Sequence, residues 1–287
     1  MQESMNILFT ALMGMVQGLT EFLPVSSSGH LSIAENLLGL LGYQGGDMRI
    51  AFYAMLHLGT LIAVAAVFFK DWVDMLAHPI RNKTLLLLVI ASVPALLIKV
   101  LLGDTLDELF RGGFLGISFL ITAFFLLMIQ WTERGRREHM RRGQVTPKIA
   151  LVMGVFQGIA LLPGVSRSGS TLLGGIAGGL KRESAVKFAF MMSAPAILGG
   201  LLIEGKEAAD LYGLQALISG EILLGVAVSA VFGFLAIRFM LYIIKRVSFY
   251  YFALYVVLVG FAVLIMQMTG FANFPPIALP GVPVPLG

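Results

Sequence analysis

The sequence predicts an all-α polytopic membrane protein: six transmembrane helices and two re-entrant helical hairpins, arranged as inverted-topology repeats. Three observations lead there. Of 287 residues, 58% are hydrophobic and 13% charged, with a mean hydropathy of +0.90, whereas soluble domains carry about a quarter charged residues. Two polar islands interrupt the apolar sequence at matching positions. Lysine and arginine gather in some loops and are scarce in others, which reports orientation across a bilayer.

Composition also sets limits. The sequence pI of 9.4 would point to nucleic acid in a soluble protein, but here the basic residues sit in short loops between apolar runs, so nucleic acid is not expected as a partner. There is no cysteine, which excludes disulfides, thiol nucleophiles and cysteine metal sites. The start, Met-Gln-Glu-Ser, lacks the basic flank of a signal peptide, and the first apolar run is read as retained structure.

The elements follow in chain order. The first hairpin is two short apolar runs, 5–23 and 30–41, hinged at the island Gln-Gly-Leu-Thr-Glu-Phe-Leu-Pro-Val-Ser-Ser-Ser-Gly-His that runs from Gln17 to His30. Spans long enough for about 30 Å of hydrocarbon then fall at 51–69, 84–102 and 114–131. The second hairpin pairs 149–162 with 170–180 around the island from Gln157 to Thr171, and spans follow at 184–203, 218–241 and 249–268. Gly14, Gln17, Gly18 and Gly29 recur as Gly154, Gln157, Gly158 and Gly169, each 140 positions on, which marks a duplication. Pro24 and Pro163 fall out of step by one residue.

Loop charge orients the copies. Arg134, Arg136, Arg137, Arg141, Arg142 and Lys148 make the 132–148 loop cytoplasmic, as Lys70, Arg81 and Lys83 do for 70–83. The loops at 103–113 and 204–221 are poor in lysine and arginine and belong outside. Each hairpin must then return to the face it entered, one from each side. The chain divides into repeat 1 (1–131), a basic loop (132–148), repeat 2 (149–268) and a Pro-rich tail (269–287), in which 271–287 reads as extended, disordered chain. Inverted repeats of this kind typically hold a site near the bilayer midplane, where broken helices meet.

The two islands carry the chemistry. Pro24 and Pro163 stop their helices. Ser26, Ser27, Ser28 and Gly29 precede one new helix, and Ser166, Arg167, Ser168 and Gly169 the other. Free amides, hydroxyls and a helix dipole make an anion cradle. Arg167 at membrane depth calls for an anion, and phosphate matches its fork. Glu21 would repel that phosphate unless it holds a proton, pairs with Arg167 or binds a divalent cation. His30 can pass a proton near neutral pH. Together these are the parts of a phosphoryl-transfer site. Plainer readings exist: Ser26, Ser28 and Ser170 as packing residues, Glu21 with Arg167 as a structural ion pair, His57 as a packing histidine, His78 and His139 as solvated, and Pro94 and Pro195 as kinks.

At these residues the sequence resembles the bacterial undecaprenyl pyrophosphate phosphatases of the BacA type. The Gln17–His30 run is similar to that family's Glu/Gln-x-x-x-Glu motif with its Ser-Ser-x-Gly-His continuation, and Pro163-Gly-Val-Ser-Arg-Ser-Gly-Ser to its second motif. The likeness extends to the Ile244–Phe249 stretch and covers essentially the whole chain.

The resemblance implies removal of the terminal phosphate from a C55 isoprenyl diphosphate, giving the monophosphate carrier of cell-wall assembly, and with it bacitracin resistance. By motif position it makes Glu21 the metal-binding acid or base, Ser27 the nucleophile, His30 the proton-transfer partner, and Arg167 with Ser166 and Ser168 the phosphate clamp. Substrate contacts are also expected at Gln17, Ser26, Ser28, Gly29 and Gly169. A divalent cation, Mg²⁺ or Ca²⁺, is expected at Glu21 and Gln17; the Gln17 amide can coordinate but cannot act as a base. The expected setting is the bacterial inner membrane, with the site open to the outer face. A homodimer is possible through small faces at Gly174, Gly175, Gly178 and Gly179. The rival reading is a transporter or flippase of an anionic isoprenyl lipid, since inverted repeats serve transporters as readily.

Overall fold

The computed structural model describes residues 7–42, 49–109, 113–134 and 142–277, with side chains left undescribed at 49, 50, 104–109 and 216. Its regular secondary structure is helical. The first hairpin is α1 (Ile7–Phe22) and α2 (Ser27–Gly39). It is followed by α3 (Arg49–Val67), α4 (Phe69–Ala77), α5 (Thr84–Leu109) and α6 (Leu115–Arg134). The second hairpin is α7 (Pro147–Ile159) and α8 (Arg167–Ala177). Then come α9 (Arg182–Tyr212), the short α10 (Leu214–Leu217), α11 (Gly220–Ile243) and α12 (Phe249–Thr269).

Length sorts these helices by role. Five are long and apolar enough to cross a membrane, and α3 with α4 makes a sixth if that pair, bent by 74°, counts as one span. This matches the six expected spans. The hairpin helices α1 and α7 have 16 and 13 residues, about 24 and 20 Å at 1.5 Å per residue, short of a 30 Å crossing. Their partners α2 and α8 are no longer, with 13 and 11 residues.

Helices gain nothing from leaving lipid for one another by hydrophobicity alone, so close backbone approach must hold them. The duplicated glycines supply it. A Cβ on Gly14 would lie 2.7 Å from the Gly225 carbonyl, and one on Gly18 2.6 Å from the Ser229 carbonyl, so α1 lies tight along α11. A Cβ on Gly154 would lie 2.3 Å from the Ala91 carbonyl, and one on Gly158 2.2 Å from Ile98 Cδ1, so α7 lies equally tight along α5. The same two positions of the duplicated motif do the same work in both copies. Elsewhere α3 packs on α9 and α11, and α6 on α12. Phe22, Phe119, Met153 and Phe249 are buried between them, while Leu97, Val100, Leu235 and Leu258 stay exposed on outward faces that suit lipid.

Several expectations shift in detail. The helix α5 runs to Leu109, and α9 continues through the charged stretch to Tyr212, so both acidic segments are partly helical. Pro94 and Pro195 stand inside continuous helices. His78 is exposed beside Asp74 at 3.3 Å, as expected of a solvated residue, while His139 lies outside the described residues. The tail does not begin as free chain: Phe271–Asn273 form a 3-10 turn, Ala272 and Phe274 are buried, and Gln267 Nε2 donates to the Pro275 carbonyl at 3.0 Å. The rest of the tail, 278–287, lies outside the described residues. Gly174, Gly175 and Gly178 do not face outward; they close on Met153, Ala185 and Ile149 of the same chain.

At the basic end a buried pair ties three elements. Arg182 donates to Glu133 through Nε at 2.7 Å and a terminal nitrogen at 2.5 Å, and to the Ile244 and Val247 carbonyls at 3.2 and 3.0 Å. Its guanidinium also covers the Phe249 ring. This fork anchors α9 to α6 and to the α11–α12 turn.

Candidate active site

The two hairpin tips meet. In the first, α1 ends at Phe22 and Ser26 caps α2 by accepting from the Gly29 amide at 3.2 Å. In the second, α7 ends at Ile159 and Ser166 caps α8 by accepting from the Gly169 amide, also at 3.2 Å. Serine, three residues before the amide it caps, is a favoured N-cap. The tips differ in how they turn. The first is tighter and puts Ser26 itself at φ 75, while the second is longer and gives the positive φ of 83 to Gly164. The two motifs are equally long from glutamine to glycine, so the longer second turn comes from α7 ending earlier than α1.

Direct bonds join the tips. Ser168 Oγ donates to the Leu23 carbonyl at 2.9 Å, and the Gly164 amide donates to Ser28 Oγ at 3.3 Å. The second tip is also fixed to α6, since the Ser166 amide donates to Thr122 Oγ1 at 2.9 Å. Above all, Arg167 of the second hairpin forms an ion pair with Glu21 of the first.

Glu21 is the hub. Its Oε1 takes the Arg167 guanidinium, while Oε2 accepts from Ser27 Oγ at 2.6 Å and from Gln17 Nε2 at 3.0 Å. One helical turn carries Gln17 to Glu21, so both face the same side of α1. The N-terminus of α2 returns Ser27 to that side. The carboxylate is buried, with a side chain 4% exposed, while Arg167 is 23% exposed. A buried carboxylate needs donors to replace water, and Glu21 has three.

Two residues at the site were not expected there. His57 of α3 points Nε2 at Glu21 Oε2 across 3.9 Å, with Nδ1 2.8 Å from the Tyr53 carbonyl. The packing reading of His57 therefore gives way to a place beside the acid. An ionisable side chain inside an apolar span was the available signal. Tyr255 of α12 lies 2.7 Å from His30 Nε2, and nothing in its apolar surroundings announced it. His30 itself turns away from Glu21, toward Phe119 of α6 and Tyr255 of α12.

The remaining expected residues divide by exposure. Ser27, Ser28, His30, Arg167 and Ser168 are at least partly accessible, whereas Gln17, Ser26, Gly29, Ser166 and Gly169 are buried. The amides of Gly29 and Gly169 are taken by their own capping serines, so the cradle offered to a ligand consists of side chains more than of those two amides. Ser166 Oγ and Ser168 Oγ are 3.2 Å apart and share a hydrogen bond. Ser170 bonds back to the Ser166 carbonyl at 2.8 Å and is packing.

For a cation, Glu21 and Gln17 form an incomplete set of oxygen donors. Gln17 Oε1 is buried without a hydrogen-bond partner, an orphaned acceptor that a cation would satisfy. Among the described residues no cluster of three His, Asp or Glu forms a self-sufficient metal cage. Mg²⁺ characteristically binds one or two carboxylates and takes its other oxygens from water and substrate phosphates. The residues fit a cation of that shared kind.

Comparison with known proteins agrees. Residues 10–262 match the family described as bacitracin resistance protein BacA. The chain is 35% identical over 268 residues to undecaprenyl-diphosphatase 4 of Bacillus thuringiensis subsp. konkukian, covering 92% of this chain and 99% of the relative. It is 35% identical over 271 residues to the undecaprenyl-diphosphatase of Carboxydothermus hydrogenoformans, covering 93% and 99%. A third relative, the undecaprenyl-diphosphatase of Methanosphaera stadtmanae, is 33% identical over 286 residues, covering 92% and 99%. A match that spans both hairpins and all the long helices leaves one assignment: this chain belongs to the BacA family of bacitracin resistance proteins.

Proposed function

We propose that this protein is a membrane phosphatase that hydrolyses undecaprenyl diphosphate to undecaprenyl phosphate and inorganic phosphate. The observation that carries the reading is the shared carboxylate. A serine hydroxyl sits 2.6 Å from Glu21 Oε2 while a guanidinium from the other hairpin holds Oε1. A carrier of anionic lipid needs the guanidinium but has no use for a hydroxyl activated by an acid, so the arrangement favours hydrolysis over transport.

The diphosphate enters between the tips and draws Arg167 off Glu21, since the partly exposed guanidinium can fork onto phosphate oxygens. Ser28 and Ser168, both accessible, add hydroxyl contacts. Freed of its countercharge, Glu21 Oε2 takes the proton of Ser27, whose Oγ attacks the terminal phosphorus. The Oγ–P bond forms as the bridging P–O bond breaks, and undecaprenyl phosphate leaves with the bridging oxygen. Water then attacks the phosphoserine, inorganic phosphate departs, and Ser27 regains its proton. His57 Nε2 stands next to the carboxylate as the onward proton acceptor. Its Nδ1 faces a carbonyl and must carry the hydrogen, which leaves Nε2 with the lone pair. A divalent cation, Mg²⁺ or Ca²⁺, held by Glu21 and Gln17 Oε1, would supply neutralisation of the diphosphate charge.

Inverted repeats would bring one hairpin in from each face, and the reading places the opening toward the outer side of a bacterial inner membrane. The test is phosphate release from undecaprenyl diphosphate by purified protein, with and without chelator. Release that chelation suppresses and Mg²⁺ or Ca²⁺ restores is expected. Lipid binding without any release would turn the reading toward transport.

A further inference from the structure

His30 is held at both ring nitrogens. Nδ1 lies 2.7 Å from the Ser26 carbonyl, which also accepts the His30 amide at 3.2 Å. A carbonyl can only accept, so Nδ1 bears the hydrogen and neutral His30 has its lone pair at Nε2. The Tyr255 hydroxyl sits on that lone pair at 2.7 Å. The two rings stack at 5.7 Å with their planes 14° apart, and Phe119 closes the other side edge-on at 5.5 Å. Around the ring α6 contributes an apolar ring, α12 a phenol, and the first tip a carbonyl. Among the described residues no carboxylate or cation is hydrogen-bonded to it.

Such a fixed ring is unusual for a histidine that only packs. Ser26, at a positive φ of 75, presents its carbonyl to the ring. Tyr255, meanwhile, comes from 225 positions away and is 46% exposed. The phenol thus touches both the half-buried imidazole and the surface of the chain.

We infer that Tyr255 is a positioning residue for His30, the proton-transfer partner that the family resemblance implies: its hydroxyl fixes the aim of the ring, and it is the group through which a proton reaches or leaves Nε2. With neutral His30 the phenol donates to Nε2; with the ring protonated, Nε2–H donates to the phenol oxygen, so the contact survives both states. The kinetic half of this inference rests on the phosphatase reading, and the hydrogen-bond half does not.

Tyr255→Phe keeps the stacked ring and removes only the hydroxyl. With ¹⁵N-labelled histidine, the wild type is expected to show His30 as the neutral Nδ1–H tautomer, assigned by the signal lost in His30→Gln. Tyr255→Phe is expected to keep that tautomer, which the Ser26 carbonyl sets, and to move the Nε2 signal to that of an imidazole nitrogen without a hydrogen bond. In turnover the same variant is expected to lower kcat by about tenfold, with KM within about twofold, and to change the pH–rate profile. A His30 spectrum and pH profile unchanged in Tyr255→Phe would overturn the inference, as would a wild-type His30 found as Nε2–H. The spectrum needs no substrate. If wild-type protein releases no phosphate, the phosphatase reading falls, and the spectrum alone still decides whether Tyr255 holds Nε2.

Discussion

Glu21 concentrates the chemistry in one side chain, and its neighbours define how each substitution should fail. Glu21→Gln keeps the shape and loses the base, so kcat should fall by about 10²- to 10⁴-fold while the protein still purifies folded. Arg167→Lys keeps a charge but not a fork, and should weaken substrate binding by more than about tenfold, read as a rise in KM. At this scale the sequence was a good guide for a physical reason: Gln17, Glu21, Ser27 and Arg167 are costly in lipid and must have company, and the structure gathers all four. It guided less well where a residue is chemically at home in an apolar helix. His57 is ionisable inside an apolar span, but no sequence feature tells that α3 lies beside the tip, and Tyr255 reads as an ordinary aromatic of α12.

The helices explain which parts of the architecture could be read in advance. Apolar runs fix the existence of spans, and the 140-residue offset fixes the pairing of the motifs. The glycines at that offset then pack in corresponding places, Gly14 and Gly18 on the backbone of α11, Gly154 on the backbone of α5 and Gly158 on the Ile98 side chain of α5. A side chain on Gly18 would meet the backbone of α11 at 2.6 and 2.7 Å, so Gly18→Val should destabilise the protein by roughly 1–3 kcal/mol. Thermal unfolding in detergent measures this, with Gly39→Ala as the control, since a Cβ there meets nothing within 4 Å. If the two variants melt together, α1 does not depend on that approach. What composition could not convey was where helices bend or run on. The 74° break between α3 and α4 has no proline or glycine at Phe68 to announce it. The continuation of α9 through a charged segment likewise depends on helix formers such as Glu204, Lys206 and Glu207 rather than on hydropathy.

Over the whole molecule the chain makes one claim that neither hairpin could make alone, that two related tips with opposite approaches complete a single site. The absence of native cysteine makes the approach directly testable by single-cysteine labelling in intact membranes. Leu41, at the base of the first hairpin, should label from outside, and Lys181, at the base of the second, from inside; labelling of both from one face would refute inverted insertion. The claim of a single site is tested most directly by phosphate release in a double-substitution cycle with Ser27→Ala from one hairpin and Arg167→Ala from the other. Groups that act as a unit are strongly non-additive, so each single variant should lose about 10³-fold in kcat and the double variant scarcely more. Losses that multiply, or a single variant that retains full activity, would contradict the account.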